Sequence, residues 1–137
     1  MGRTRNRTAR GNALWIVLTV AYVGLIFFMS SRPYLNAPGP DFDMKDKLIH
    51  ATEYGILGLL VVRALGNTLS RSRVVTVFFV IAVCATIAGV DEFFQGTVPG
   101  RQKDILDWLA DVTGVTIGAA LTLWRVRPRR GGKETQA

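Results

Sequence analysis

The sequence is poor in metal-binding and redox side chains, with one cysteine and one histidine among 137 residues. A single cysteine, Cys84, excludes an internal disulfide, a CxxC redox pair and a cysteine-based zinc site. A single histidine excludes a metal site built from several imidazole ligands. We therefore expect neither a metal ion nor a cofactor.

Polar character is scarce as well, because hydrophobic residues make up 49% of the chain and the mean hydropathy is +0.25. A membrane-spanning helix takes about 20 residues, so the chain has room for about four spans with short loops. This composition favours a multi-pass membrane protein. The net charge of +7 and the pI of about 10.3 leave nucleic-acid binding as an alternative.

The first apolar run comprises residues 13–29 and follows a segment that contains four arginines. A basic segment before an apolar stretch is also the pattern of a secretory signal. The run is long for such a signal, and no convincing small-x-small cleavage site follows it. We therefore predict a retained membrane helix.

Three more apolar segments predict helices of membrane-spanning length. Proline and glycine residues at positions 33, 38–40 and 99–100 separate the first helix from the second and the third from the fourth. The prediction is an all-α protein, an antiparallel bundle of four transmembrane helices within residues 13–125, flanked by basic tails at 1–12 and 126–137. The helices are expected at about residues 13–30, 46–65, 74–95 and 105–125.

Lysine and arginine are divided unequally between the two sides of this bundle. Twelve of the 17 lie on the side of the N-terminus and five on the other side. The positive-inside rule therefore predicts a protein of the bacterial cell membrane with both termini in the cytoplasm. Nine of the ten acidic residues then lie in the outer half. The charge thus indicates a topology with membrane lipids as partners and no nucleic acid.

Polar residues gather near the predicted outer ends of three helices. A spacing of i, i+4, i+7 and i+8 from Asp46 places the polar residues of the second helix on one face. Charged groups inside the hydrocarbon cost about 2.5–3.5 kcal/mol and normally face the bundle interior. We predict a polar pocket there. Its candidate residues are His50, Glu53, Tyr54, Asp91, Glu92, Gln95, Asp107 and Asp111, and the candidate contacts to an anionic substrate group are Arg101, Lys103 and Lys47.

Several of these residues have a second interpretation. Asp46 and Asp104 would also complement helix dipoles as carboxylates near helix N-termini. Glu92 is rotated by about 100° from Asp91 and would then point to lipid headgroups or water. His50 is either a hydrogen-bonded structural residue or a group for proton transfer near neutral pH.

Two further features point to structure. As an alternative to contacting an anion, Arg101 would close its loop by forming an ion pair with Asp107 or Asp111. Gly114 and Gly118 lie four residues apart, a spacing that is typical of close helix packing in membranes.

Several polar motifs follow one another along the second, third and fourth helices and the connection before the fourth. They are Asp46-Lys47-x-x-His50-x-x-Glu53-Tyr54-x-x-Leu57-Gly58, Asp91-Glu92-x-x-Gln95, Pro99-Gly100-Arg101, Asp107, and Asp111-x-x-Gly114. In this order they resemble the VanZ-like family over about residues 42–120. The resemblance implies a small bacterial integral membrane protein without an established enzymatic activity. The namesake of the family is an accessory glycopeptide-resistance protein associated with lowered sensitivity to teicoplanin. Asp111 stands where many members have Asn, which adds a charge to the pocket.

Three functions are compatible with these observations. The first is an effect on the cell envelope, or on tolerance to teicoplanin-type glycopeptides, through the extracytoplasmic pocket. The alternative is a membrane enzyme or binding protein for a lipid-linked envelope precursor, with His50 and Asp91 as acid-base groups and Arg101 as an anion clamp. A third is a small proton or ion conductor that uses the carboxylates and His50 as a relay. The oligomeric state stays open.

Overall fold

Four α-helices make up the part of the chain that the computed structural model describes, which is residues 2–33, 44–65 and 72–125, with side chains from residue 11 onward. The helices are α1 (Gly2–Ser30), α2 (Lys45–Leu65), α3 (Arg73–Gln95) and α4 (Ile105–Arg125). Each contains a stretch long and apolar enough to cross a membrane. The predicted all-helical fold with four membrane-spanning segments is confirmed.

The bounds of three helices lie within one residue of the prediction, but α1 begins at Gly2 rather than near residue 13. The arginine-rich segment before its apolar run contains no proline, and its other residues cost at most about 1 kcal/mol each in a helix. Hydrophobic patterning therefore locates the membrane-spanning part of α1 but not its first residue. Three predicted features lie outside the described residues. They are the break at residues 38–40, most of the connection between the second and third helices (66–71) and the tail at 126–137.

Two helices begin at side chains that cap them. Ser72 precedes α3, and its hydroxyl accepts a hydrogen bond from the backbone N–H of Val75 at 3.4 Å. Asp104 precedes α4 and accepts one from the backbone N–H of Leu106 at 2.9 Å. Such caps satisfy N–H groups that the first turn of a helix leaves unpaired. The interpretation of Asp104 as a carboxylate at a helix N-terminus is confirmed.

Consecutive helices run in opposite directions, so α2 and α4 are parallel to each other. α2 packs most extensively against α4, α3 contacts the other three helices, and α1 contacts only α2 and α3 among the described helices. The order around the bundle is therefore α1, α2, α4, α3. The C-terminal ends of α1 and α3 lie beside the N-terminal ends of α2 and α4. We call this end of the bundle the polar end.

The close contact between α2 and α4 depends on glycine. A Cβ atom at Gly114 would overlap with the backbone carbonyl of Ala51, and one at Gly118 would overlap with that of Gly55. From the other side, a Cβ at Gly58 would lie 2.7 Å from the carbonyl oxygen of Val115. The two backbones thus touch directly, as the spacing of Gly114 and Gly118 predicts.

The outside of the bundle is apolar, and the polar side chains at its polar end are buried in the interior. Phe78, Phe93 and Trp124 are 68%, 65% and 75% exposed, whereas Asp91 and Asp111 are 2% and 1% exposed. In a lipid bilayer the exposed aromatic and aliphatic side chains meet hydrocarbon, and polar groups are satisfied inside the protein. This distribution is the one expected of a membrane protein.

Candidate functional site

Polar side chains of all four helices meet at the polar end. The predicted pocket residues come from three helices, and the structure adds Ser30 from the end of α1. All of them are buried or half-buried. We call the following set the polar cluster: Ser30, His50, Glu53, Tyr54, Asp91, Glu92, Gln95, Asp107 and Asp111.

Lys47 connects α2 to the start of α4 through two carboxylates. Its Nζ lies 2.6 Å from Oδ2 of Asp104 and 2.5 Å from Oδ1 of Asp107. The hydrogen bond from the Lys47 ammonium holds the pKa of Asp104 below its usual value. One positive charge is therefore shared between two acidic residues, and the N-terminal ends of the two parallel helices are held together.

His50 lies between two carboxylates of α4. Its Nδ1 is 3.0 Å from Oδ1 of Asp111, and its Nε2 is 3.9 Å from Oδ2 of Asp107. With Asp111 ionised, its carboxylate only accepts hydrogen bonds, and the tautomer that fits the shorter contact is the one with a proton on Nδ1. The longer contact exceeds hydrogen-bonding distance. Asp111 thus orients the imidazole and leaves Nε2 directed towards Asp107.

Asp91 connects α3 to the end of α1. Its Oδ2 accepts hydrogen bonds from the hydroxyl of Ser30 and from Nε2 of Gln95, both at 2.9 Å. Gln95 Nε2 also donates to the Ser30 hydroxyl at 3.1 Å. The sequence reasoning missed Ser30. Its only signal is that a hydroxyl residue ends an apolar run at the same membrane level as Asp91.

Glu92 is buried, with 9% of its surface exposed, so the interpretation that directs it to lipid or water is wrong. Its Oε1 accepts a hydrogen bond from the backbone N–H of Asp104 at 2.6 Å. The loop between α3 and α4 turns at Gly100, where φ is 85°, a conformation that favours glycine. The loop returns over the end of α3 and covers the Glu92 side chain.

The three basic residues predicted to contact an anion have partners in different places. Lys47 is held by the two carboxylates described above. Arg101 donates from Nη1 to the backbone carbonyl of Ser30 at 3.3 Å. The ammonium of Lys103 lies 3.9 Å from the centroid of the Phe93 ring, a cation–π contact. These contacts do not bring the three charges to one point.

The alternative interpretation of Arg101, an ion pair with Asp107 or Asp111, is not found in the described part of the chain, where Asp107 pairs with Lys47 and Asp111 with His50. Arg101 reaches the end of α1 instead. This alternative is wrong because spacing along a chain gives the helix face of a residue but not which neighbouring helix that face meets.

Comparison with known families gives a match over most of the chain. The matching family is VanZ/LLP1, and the match covers residues 14–126. The chain belongs to the VanZ/LLP1 family. The match includes every residue of the polar cluster, and it confirms the family that the sequence motifs indicate. No curated protein and no solved structure matches the chain.

In this VanZ/LLP1 protein the polar end holds more carboxylates than cations. Six carboxylates lie in and beside the polar cluster, and the Lys and Arg side chains shown to interact with them are Lys47 and Arg101, whereas Arg32 and Lys103 lie over phenylalanine rings. Among the residues described, no group of His, Cys, Asp and Glu side chains is placed to hold a metal ion. The arrangement is therefore suited to accepting hydrogen bonds rather than to binding an anion. The six acidic residues are Glu53, Asp91, Glu92, Asp104, Asp107 and Asp111.

Three buried atoms in this region have no hydrogen-bond partner within the described part of the chain. They are the hydroxyl of Tyr54, Oδ1 of Asp91 and Oε2 of Glu92. A buried polar atom without a partner costs about 1–3 kcal/mol. The polar cluster therefore has unused capacity to accept hydrogen bonds, and it lies at one end of the bundle.

Proposed function

We propose that this VanZ/LLP1 protein lies in the bacterial cell membrane with its polar end at the outer face and lowers the sensitivity of the cell envelope to teicoplanin-type glycopeptides. The four apolar helices and the excess of Lys and Arg on the side of both termini support the location. The resemblance to VanZ-like proteins supports the role in tolerance. The cluster would act on a glycopeptide or on an envelope component that the glycopeptide recognises.

The observation that carries the proposal is the burial of charge at the polar end. Asp91 and Asp111 are almost fully buried inside helices whose outer surfaces are apolar. Placing each such group in the membrane costs about 2.5–3.5 kcal/mol. Well-packed apolar residues often replace buried charges without loss of stability. The cost of retaining these charges supports a function at the polar end rather than a role in folding alone.

The orientation can be tested by cysteine labelling in intact cells. Thr97 lies exposed in the loop at the polar end, and Arg125 lies exposed at the other end of α4. We expect a membrane-impermeant maleimide to label Thr97→Cys in intact cells and Arg125→Cys only after permeabilisation, because the positive-inside rule predicts that the polar end faces outward. The native Cys84 is fully buried and gives no background. The reverse labelling pattern would contradict the proposed orientation.

The role in tolerance can be tested with Asp91→Asn. The amide keeps the shape of the side chain and an oxygen that accepts from Ser30, but it removes the charge. We expect the minimal inhibitory concentration of teicoplanin to fall to that of a strain lacking the protein. Protein amount and thermal stability should stay close to those of the wild type.

A matched control is Thr76→Val, which replaces a buried polar group at the opposite end of α3. This variant should keep full tolerance. Wild-type tolerance of Asp91→Asn, or a deletion strain as tolerant as the wild type, would contradict the proposal.

The alternative, processing of a lipid-linked precursor, receives less support from the contacts. An anion clamp needs basic groups that converge, and Lys47, Arg101 and Lys103 each have a different partner. The contact between His50 and Asp111 is compatible with acid-base chemistry, but it equally serves a binding site.

A further inference from the structure

Two exposed phenylalanines occupy matching positions at the polar end. Phe28 lies two residues before the last residue of α1, and Phe93 lies two residues before the last residue of α3. They are 52% and 65% exposed. At 1.5 Å per residue, both lie about 3 Å from the end of their helix. Gln95 Nε2 donates to the Ser30 hydroxyl and so joins the two helix ends, which places both rings at about the same level of the bundle.

A second pair of phenylalanines connects the two helices at this level. The rings of Phe27 and Phe94 contact each other, with their centroids 6.1 Å apart. We call Phe27, Phe28, Phe93 and Phe94 the aromatic belt. Positions so near the end of a membrane-spanning helix lie close to the boundary between hydrocarbon and lipid headgroups. The aromatic belt therefore lies where the two regions of the membrane meet.

A cation lies over each of the two exposed rings. The guanidinium carbon of Arg32 is 4.5 Å from the centroid of the Phe28 ring, and the ammonium of Lys103 is 3.9 Å from that of Phe93. Both basic residues are exposed. A guanidinium has five N–H donors and an ammonium has three, and a cation–π contact depends on the charge rather than on these donors. Both cations thus retain donors for a further partner.

Gly96 makes room for the Lys103 side chain. A Cβ atom at Gly96 would overlap with the aliphatic carbons of Lys103. The φ of Gly96 is −64°, a conformation that any residue adopts. The backbone therefore does not require glycine here, whereas the path of the Lys103 side chain does. The lysine lies against the end of α3 and holds its ammonium at the exposed Phe93 ring.

Neither cation has an acidic partner within the described part of the chain. The ion pairs found there at the polar end are those of Lys47 and His50 with the carboxylates of α4 and of Asp104. Arg32 and Lys103 remain at the lipid-facing surface, although six carboxylates lie in and beside the polar cluster. Anionic headgroups attract basic side chains that lie next to a membrane. Charge complementarity therefore favours a lipid as the partner of these two cations.

We propose that the aromatic belt, together with Arg32 and Lys103, binds the phosphate groups of acidic phospholipids in the leaflet at the polar end. Arginine binds phosphate through paired N–H donors, and lysine does so as a point charge. A zwitterionic headgroup fits less well, because its own cation would meet two further positive charges. The proposal goes beyond the proposed function and does not depend on which side of the membrane the polar end faces.

The test measures thermal unfolding of the purified full chain in detergent micelles with added phosphatidylglycerol or phosphatidylcholine of the same acyl chains. Each lipid carries one phosphate, but only phosphatidylglycerol has a net negative charge. A ligand that binds the folded state raises the unfolding temperature as its concentration increases. We expect a larger rise with phosphatidylglycerol. Inorganic phosphate at equal concentration tests a free anion, and we expect it to have no effect.

The variants locate the site. Lys103→Gln and Arg32→Gln each remove one charge from an exposed side chain, so both should fold. Each is expected to weaken phosphatidylglycerol binding about threefold, and the double variant about tenfold, because exposed charge pairs are individually weak. Gly96→Ala retains every charge but displaces Lys103 from the Phe93 ring. It should weaken binding about as much as Lys103→Gln does.

Arg125→Gln is the control matched in charge, because Arg125 is exposed at the other end of α4. It should keep the preference of the wild type for phosphatidylglycerol. An equal loss in Arg125→Gln and Lys103→Gln would show an effect of total charge and overturn the proposal. Equal stabilisation of the wild type by both lipids, wild-type affinity of the double variant, or stabilisation by inorganic phosphate as strong as that by phosphatidylglycerol would also overturn it.

This proposal and the proposed function fail separately. Equal unfolding temperatures of the wild type with the two lipids refute the lipid site and leave the role in tolerance standing. Unchanged tolerance in Asp91→Asn, together with a preference for phosphatidylglycerol that depends on Lys103, does the reverse.

Discussion

Replacing Gly114 with alanine is expected to lower the free energy of unfolding by about 3 kcal/mol, the upper end of the usual range for overpacked sites. The new Cβ would overlap with the backbone carbonyl of Ala51 on α2. A backbone, unlike a flexible side chain, cannot rotate out of the way, so α2 and α4 have to move apart. Gly118→Ala should behave in the same way, because its Cβ would meet the carbonyl of Gly55.

The measurement is thermal or denaturant unfolding of the purified protein in detergent. Gly24→Ala in α1 is the matched control, because a Cβ at Gly24 has no heavy atom within 4 Å. Alanine is favoured over glycine inside a helix by about 1 kcal/mol, so the control should be neutral or slightly stabilised. Equal stability of Gly114→Ala and Gly24→Ala would show that direct backbone contact does not hold α2 to α4.

Replacing His50 with alanine is expected to lower the free energy of unfolding by about 3 kcal/mol. The substitution removes the partner of Asp111, whose side chain is only 2% exposed, and leaves a buried carboxylate without its hydrogen bond. The change should appear as a large drop in unfolding temperature in detergent, with loss of protein in the membrane.

Asp111→Asn separates the charge of this contact from its hydrogen bond. The amide oxygen still accepts from His50 Nδ1, so the single variant should be close to the wild type in stability. In the double variant His50→Ala/Asp111→Asn no carboxylate is left unpaired, and part of the lost stability should return. A double-mutant cycle measures this coupling. If the double variant is as unstable as the sum of the two single variants, the contact contributes no coupling energy.

Much of the fold follows from local patterns. Long apolar runs predict the four helices, and the spacing of Gly114 and Gly118 predicts the close contact of α4. The start of α1 at Gly2 could not be predicted, since an arginine-rich segment without proline is compatible with helix or coil. The helix is extended by its own backbone hydrogen bonds and needs no apolar pattern there.

The candidate site was predictable in composition but not in its pairings. Helical spacing collects His50, Asp91 and Asp111 at one end of the bundle, because each helix has a polar face at the same level. It does not reveal which faces meet, so the sequence leaves an ion pair of Arg101 with Asp107 or Asp111 open as an alternative, although these carboxylates pair with Lys47 and His50. Ser30 was missed because its contact with Asp91 joins residues 61 positions apart.

The parallel pairing of α2 with α4 has a consequence for biogenesis. Lys47 and His50 lie in α2, but the carboxylates that satisfy them lie at and beyond Asp104. With about 60 residues between the ends of the two helices and translation at about 5–20 residues per second, α2 waits about 3–12 s for its partner. During that interval its polar groups need hydrogen-bond partners from water, the translocon or lipid headgroups, because hydrocarbon offers none. The ribosome thus produces α2, with its charged and polar face, well before the segment that satisfies that face in the membrane.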